Sequence, residues 1–229
     1  MKVELDYMSH LRTMAALVLS VAVAATYARA QTVDRDNPQR FVKGRVLVST
    51  KLPDIRVKLS KAFRYIGKLD FTIPDVAKGE RYIFAETQGR KIKRLFIAQF
   101  EAILPESTVT YNYSFKDALT LGSHKFRQNT FAYSNRESKQ ENPQGEGALT
   151  ADFLTKKGYV LEDELMMSRF VTVPDAERKH ELILFYVENV SESGRRLQEF
   201  YEGDGEALIW QEVSRGLTKR SLENFAVLK

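Results

Sequence analysis

The sequence predicts an α+β fold. Its main part is a curled antiparallel sheet or partly closed β-barrel of about eight or nine strands, with one short helix and a C-terminal helix packed on the sheet. Three observations carry this. Short β-branched and aromatic runs recur from Phe41 onward, separated by Pro-Asp and Gly turns. The run Leu182-Ile183-Leu184-Phe185-Tyr186-Val187 is continuously apolar, as in a strand covered on both faces. The residues from Glu206 to Phe225 carry helical spacing at Trp210, Val213 and Leu217, and again at Leu222, Phe225 and Ala226.

Taken in order, the first thirty residues are set apart. Leu17 to Ala25 is apolar, Arg12 precedes it, and Ala28-Arg29-Ala30 follows. Such a run closed by an Ala-x-Ala site predicts a secretory signal peptide over 1–30, cut after Ala30. The apolar run is too short to cross a bilayer core, which needs about twenty residues. Glu4 and Asp6 put acid where a leader is normally basic, so translation starts at Met1 or at Met8. The address implied is periplasmic or secreted.

Residues 31–40 are polar and predict a loose mature terminus, leaving 41–229 as a single β-rich domain. Arg45–Val48 and Ile55–Leu59 flank the turn pair Pro53-Asp54, and Phe63 to Ile73 ends at Pro74-Asp75. Arg81–Thr87 and Arg90–Phe100 predict a β-hairpin about Gln88-Gly89, with Glu86 facing Lys91 and Tyr82 facing Leu95. Val109–Phe115 alternates apolar and polar residues and predicts a strand, as does Phe126–Tyr133. Asn135–Gly147 has no apolar residue and predicts a long loop. Ala148–Lys157 predicts the short helix, stopped by Gly158. Strands follow at Leu165–Val173 and Glu181–Val190, and Gly216 offers a break in the final helix. Lipocalin-type barrels and helix-grip folds share this outline, but Gly67-Lys68-Leu69 lacks the tryptophan of a lipocalin start. The comparison is architectural only.

Composition excludes several functions. With no cysteine there is no disulfide, thiol nucleophile, thiolate metal site or redox pair. The core alone must hold an exported domain together. The net charge of +5 is spread over finely alternating signs and predicts no polyanionic partner. Arg90–Arg94 is basic, but a hairpin divides it between two faces, so no nucleic acid is expected. No Walker loop, GxGxxG or GxSxG occurs, and the histidines stand far apart, so neither cofactor nor metal is expected.

Carboxylates on or beside strands are Glu101, Glu162, Glu164, Glu181 and Glu188. Glu188 shares a face with Leu184 and Tyr186, which points it inward, where it needs a partner such as Arg94 or Arg169. Glu188 and Glu164 are therefore the carboxylates with a catalytic case. The aromatic strands fill a core or line an apolar cavity. If a cavity exists, Tyr82, Phe84, Arg94, Phe96, Arg169 and Tyr186 are its candidate ligand-binding residues. The expected function is that of an exported bacterial envelope protein, without catalysis, binding an apolar small molecule or an envelope partner through a curved sheet. A hydrolase using inward carboxylates and a structural subunit of a surface assembly are the alternatives.

Overall fold

The computed structural model describes residues 39–201 and 206–228, so the expected leader over 1–30 and its expected cleavage site lie outside the described residues. Eleven strands form two antiparallel sheets. The fold is α+β as expected, but neither sheet closes into a barrel, and the strand number exceeds the expected eight or nine.

The seven-stranded sheet has the order β4-β5-β6-β10-β9-β8-β7, over Arg64–Ile73, Ala77–Gln88, Lys91–Ile103, His180–Asn189, Glu164–Thr172, His124–Ser134 and Leu119–Leu121 respectively. Its central strand β10 is the continuously apolar run, buried from Glu181 to Asn189. The reason is layering: both faces of the sheet are covered. Away from the β5–β6 hairpin end, where a register shift turns Ile92 to the other side, even-numbered side chains of β5, β6, β9 and β10 form the first face. There Phe84, Phe96, Phe170, Leu184 and Tyr186 pack with Leu47, Val57 and Leu59 of the smaller sheet and Leu217 of the C-terminal helix. Odd-numbered side chains form the second face, where Ile83, Ile97, Ile183 and Val187 pack against Leu154 of the helical layer.

The four-stranded sheet has the order β1-β2-β3-β11, over Arg40–Lys43, Val46–Ser49, Ile55–Leu59 and Phe225–Leu228. Helix α3 spans Glu206–Asn224 without a break at Gly216. The chain then leaves helical geometry, and Phe225 to Leu228 pair with Leu59 to Arg56.

Four further expectations are corrected. Asn135–Glu141 is a helix, α1, rather than part of a loop. It buries nothing and is held at its N-terminal end: the Ser134 hydroxyl accepts from the Glu137 amide, and Asp163 Oδ1 accepts from the Arg136 amide at 2.7 Å. Helix α2 begins at Glu146 and ends at Lys156. Val109–Phe115 is irregular rather than a strand; the Tyr111 amide instead donates to the Arg178 carbonyl at 3.0 Å. The β5–β6 hairpin turns at Gly89-Arg90, with Gly89 at φ +59. A register shift follows, so Glu86 faces Arg94 rather than Lys91, and Tyr82 faces Ala98. The Glu86–Arg94 contact is an ion pair of 2.9 Å.

One close approach fixes the free corner of the large sheet. The Phe71 ring lies over Gly79, its cross-strand partner, so tightly that a Cβ there would overlap the ring. Gly79→Ala should therefore cost about 1–3 kcal/mol in urea unfolding. In a Phe71→Ala background the same change should cost almost nothing, and an equal cost in both backgrounds would refute the contact.

Candidate functional site

A concavity lies on the first face, at the ends of β4, β5 and β6. Register places Asp70, Glu80 and Phe100 side by side, with Thr72, Lys78 and Ala102 in the next row but one. With Arg40 of β1 above them they border a cleft of about 340 Å³. The row between, Phe71, Gly79 and Glu101, alternates its side chains onto the other face and lines the cleft along its strands.

Arg40 organises this cleft. Its guanidinium lies 4.2 Å from the Phe100 ring centre and 3.5 Å from Glu80 Oε1. It also donates to the Leu52 carbonyl at 2.8 Å and to Ser49 Oγ at 3.2 Å. Burial lowers the Arg40 pKa, while the charge of Glu80 pulls the other way. Tyr82 donates to Glu80 at 2.9 Å, and Lys68 lies 2.8 Å from Asp70 and 3.5 Å from Glu80. Burial and the Glu80 charge push the Tyr82 hydroxyl well above its ordinary value, so it stays a donor. Lys78, exposed on the rim, has no ion-pair partner among the described residues.

The second face holds a different cluster. Glu101 of β6 and Glu181 of β10 are direct register partners, with Cβ atoms about 5 Å apart by strand geometry. Both are buried, at 6% and 3% exposure. Glu101 accepts from Tyr111 at 2.9 Å and from Gln99, whose own oxygen accepts from Arg81. Arg81 donates onward to Thr150 Oγ1 and the Glu146 carbonyl, both at 2.6 Å, and so ties the sheet to α2. Tyr113 hydrogen-bonds Glu181 and accepts from Arg169 at 3.1 Å. Glu181 Oε2 has no hydrogen-bond partner.

Burial raises the pKa of both carboxyls. For Glu101 the charge of Glu146 adds to it, and for Glu181 the charge of Glu101 does, taking Glu181 up to about 8. Two adjacent carboxylates out of water cannot both ionise cheaply, so the pair keeps a proton at neutral pH. The strap 104–118 seals it, fastened by Lys179 to the Ser107 and Val109 carbonyls at 2.7 and 2.8 Å and by Arg178 to the Tyr113 carbonyl at 3.3 Å. A second cavity on this face, about 70 Å³ between α2 and the sheet, is bordered by Ile97, Phe185, Ala151 and Thr150. It has room for a few waters at most.

A third polar group closes the other end of the first face. Glu188, 2% exposed, receives three hydrogen bonds from Arg220 of α3, two at Oε2 at 3.0 and 2.7 Å and one at Oε1 at 3.1 Å, and a further one at Oε1 from Tyr186 at 2.6 Å. Arg94 approaches Glu188 to 3.6 Å while holding Glu86. Asn224 completes the group by donating to Tyr186 at 3.4 Å and accepting from Ser60 at 2.8 Å.

The structure thus brings together Glu188, Arg94 and Tyr186 from the residues nominated by sequence. Glu164 stands apart, accepting from the Leu197 amide at 2.9 Å, and shares no hydrogen-bond partner with Glu188. Phe84, Phe96 and Tyr186 are fully buried core, and Tyr82 is 4% exposed; none borders either cavity. Arg169 lies on the second face, away from the other five. Arg40, Glu80, Phe100, Glu101, Glu181 and Arg220 lay outside that nomination. Strand alternation could have placed Glu101 and Glu181 on one face, but their adjacency needs the β6–β10 register. Among the described residues no group of three or more His, Asp or Glu is placed to hold a metal ion. His180 instead contacts Asp175 at 3.1 Å, and His124 the Asp54 carbonyl at 3.1 Å.

Comparison with protein-family models, curated proteins and solved structures returned no match. Function must be argued from the geometry.

Proposed function

We propose that this chain is an exported envelope domain that binds a small amphipathic molecule, without catalysis, in the cleft between β1 and the ends of β4–β6. The observation that carries this reading is the cleft itself. Its volume of about 340 Å³ falls at the lower end of the range used for small ligands. Its lining sets Phe100 and Ala102 beside the charged Arg40, Glu80 and Lys78, which suits a molecule with both an apolar body and a polar group. The leader pattern over 1–30 supports export. The aromatic residues first nominated as a lining serve the core instead, which shifts the ligand from purely apolar to amphipathic.

The hydrolase reading has one observation in its favour, the adjacency of Glu101 and Glu181. Both carboxyls sit on the face opposite the cleft, sealed under the strap, and a reaction would need them within reach of substrate. Binding is the better supported reading.

Native mass spectra of the protein with octanoate, octylamine and a lysophospholipid test it. One of these should give a saturable adduct with the wild type, and Thr72→Trp, which fills the rim at an exposed position, should abolish it. Adducts unchanged by Thr72→Trp, or none at all, would overturn the proposal. Turnover of ester or glycoside substrates that is lost in Glu101→Gln would establish the hydrolase instead.

A further inference from the structure

The charge of this chain is not spread evenly. Residues 39–61, which include β1, β2 and β3, carry seven basic side chains and one acidic one, a net of +6 where the entire chain carries +5. Outside this stretch the protein is close to neutral. The concentration falls on the four-stranded sheet, and register shows how it is arranged there.

Cross-strand partners share a face. One row runs Phe41, Val48, Arg56, Leu228 and the next runs Lys43, Val46, Lys58, Ala226. Their neighbours along the strands, Leu47, Val57, Leu59 and Phe225, are buried against the large sheet, so these two rows point outward. Phe41 is 37% exposed, Lys43, Arg56, Lys58 and Ala226 are exposed, and Val46, Val48 and Leu228 are half-buried. Lys43, Arg56 and Lys58 have no ion-pair partner among the described residues. By contrast Arg40, on the inward face of β1, is paired with Glu80. The basic groups are thus spent on stability where they turn inward and left unpaired where they turn outward. Lys51 and the exposed Leu52 extend the same character into the β2–β3 turn.

We infer that this outward sheet face docks on an anionic lipid surface. The chemistry of the two rows matches a bilayer interface. Three cations reach the level of lipid phosphates, while Phe41, Val46, Val48 and Leu228 between them enter the boundary between headgroups and acyl chains. A single-stranded nucleic acid would take the cations equally well, but it stacks its bases on aromatic rings, and the face offers one ring among aliphatic side chains. The contact is peripheral: no helix among the described residues is long and apolar enough to cross a membrane. This inference does not depend on a ligand in the cleft.

Flotation of the full-length protein with vesicles tests it. The comparison is between phosphatidylcholine alone and phosphatidylcholine with about a quarter phosphatidylglycerol, at about 0.1 M and about 0.5 M salt. The neutral vesicles measure whatever the apolar leader contributes, so the readout is the increment brought by negative charge. That increment should be present at low salt and largely gone at high salt. Combined Lys43→Glu, Arg56→Glu and Lys58→Glu should weaken it about a hundredfold. The corresponding triple glutamine variant, which cannot repel lipid, should give an intermediate loss. All these positions are exposed, and thermal melts confirm that the variants fold. Equal binding to both vesicle types overturns the inference, as does an anionic increment that survives charge reversal. An oligonucleotide that displaces the protein from anionic vesicles and loses its own affinity in the triple variant would assign the face to nucleic acid instead.

Discussion

Arg220→Ala is expected to lower the stability of the domain by about 2–4 kcal/mol, a fall in Tm of roughly 5–15 °C for a domain of this length. Glu188 is almost wholly removed from water, and Arg220 supplies both hydrogen bonds to its Oε2. Without that guanidinium the carboxylate keeps the Tyr186 hydroxyl and Arg94, whose Nε stands at 3.6 Å and whose Nη1 is engaged by Glu86. A stranded buried charge costs far more than the pair itself contributes, which is why the truncation matters more than a count of ion pairs suggests. Arg220 is itself more than a third exposed, and that places the expected loss at the lower part of the range for buried pairs. Glu188→Gln added to Arg220→Ala should recover part of the loss, because the stranded charge is gone. Urea unfolding of the single and double variants measures both. An Arg220→Ala protein as stable as the wild type would show that Arg94 alone neutralises Glu188.

The same site shows where sequence reasoning succeeds and where it stops. Glu188 was legible as an inward carboxylate, because alternation puts it on the face of Leu184 and Tyr186. Its main partner was not, since Arg220 arrives from α3, and only packing of that helix across the sheet brings the two together. Glu101 and Glu181 repeat the lesson at longer range. Each strand could be recognised from its own residues, but their pairing depends on a register set between segments far apart in the chain.

Local signals proved reliable where one element was decided by its own residues. The apolar run of β10 announced a strand buried on both sides, and α2 stops just ahead of Gly158 as expected. They failed where a neighbour decided. Phe225 and Ala226 continue the helical spacing of α3, yet the open edge of β3 captures them as β11. Val109–Phe115 alternates like a strand, but it pairs with no strand, and Tyr111 and Tyr113 turn to the carboxyl pair instead. Helix α1 has no apolar face and could not be seen by periodicity; its end contacts to Ser134 and Asp163 create it. Net charge averages over one local feature: the finely mixed signs of the later segments mask the stretch 39–61, whose basic residues one sheet collects.

Stability is expected to decline as pH rises from about 5 to about 8, and Glu181→Gln should remove most of that decline. In the folded protein Glu181 is raised from 4.5 to about 8, first by burial and then by the charge of Glu101. A carboxyl with a raised pKa makes the native state bind more protons than the unfolded chain between those two values. Stability is then fully present below the unfolded pKa and is lost as pH rises through the folded one. For a shift of this size the loss is on the order of 3–5 kcal/mol, shared with Glu101, whose pKa moves in the same direction. The groups facing the pair limit the loss without removing it: Arg81 and Arg169 favour the ionised forms, while Glu146 opposes them. Tyr111 and Tyr113 remain protonated donors throughout, since burial and the carboxylates push both far above their ordinary value. Glutamine at 181 keeps the shape and cannot ionise. Near pH 5 the variant should match the wild type, and near pH 9 it should be the more stable of the two, with the strap 104–118 less open to proteolysis. Parallel pH profiles for the two proteins would mean that Glu181 is already ionised at neutral pH, with Arg169 carrying its charge.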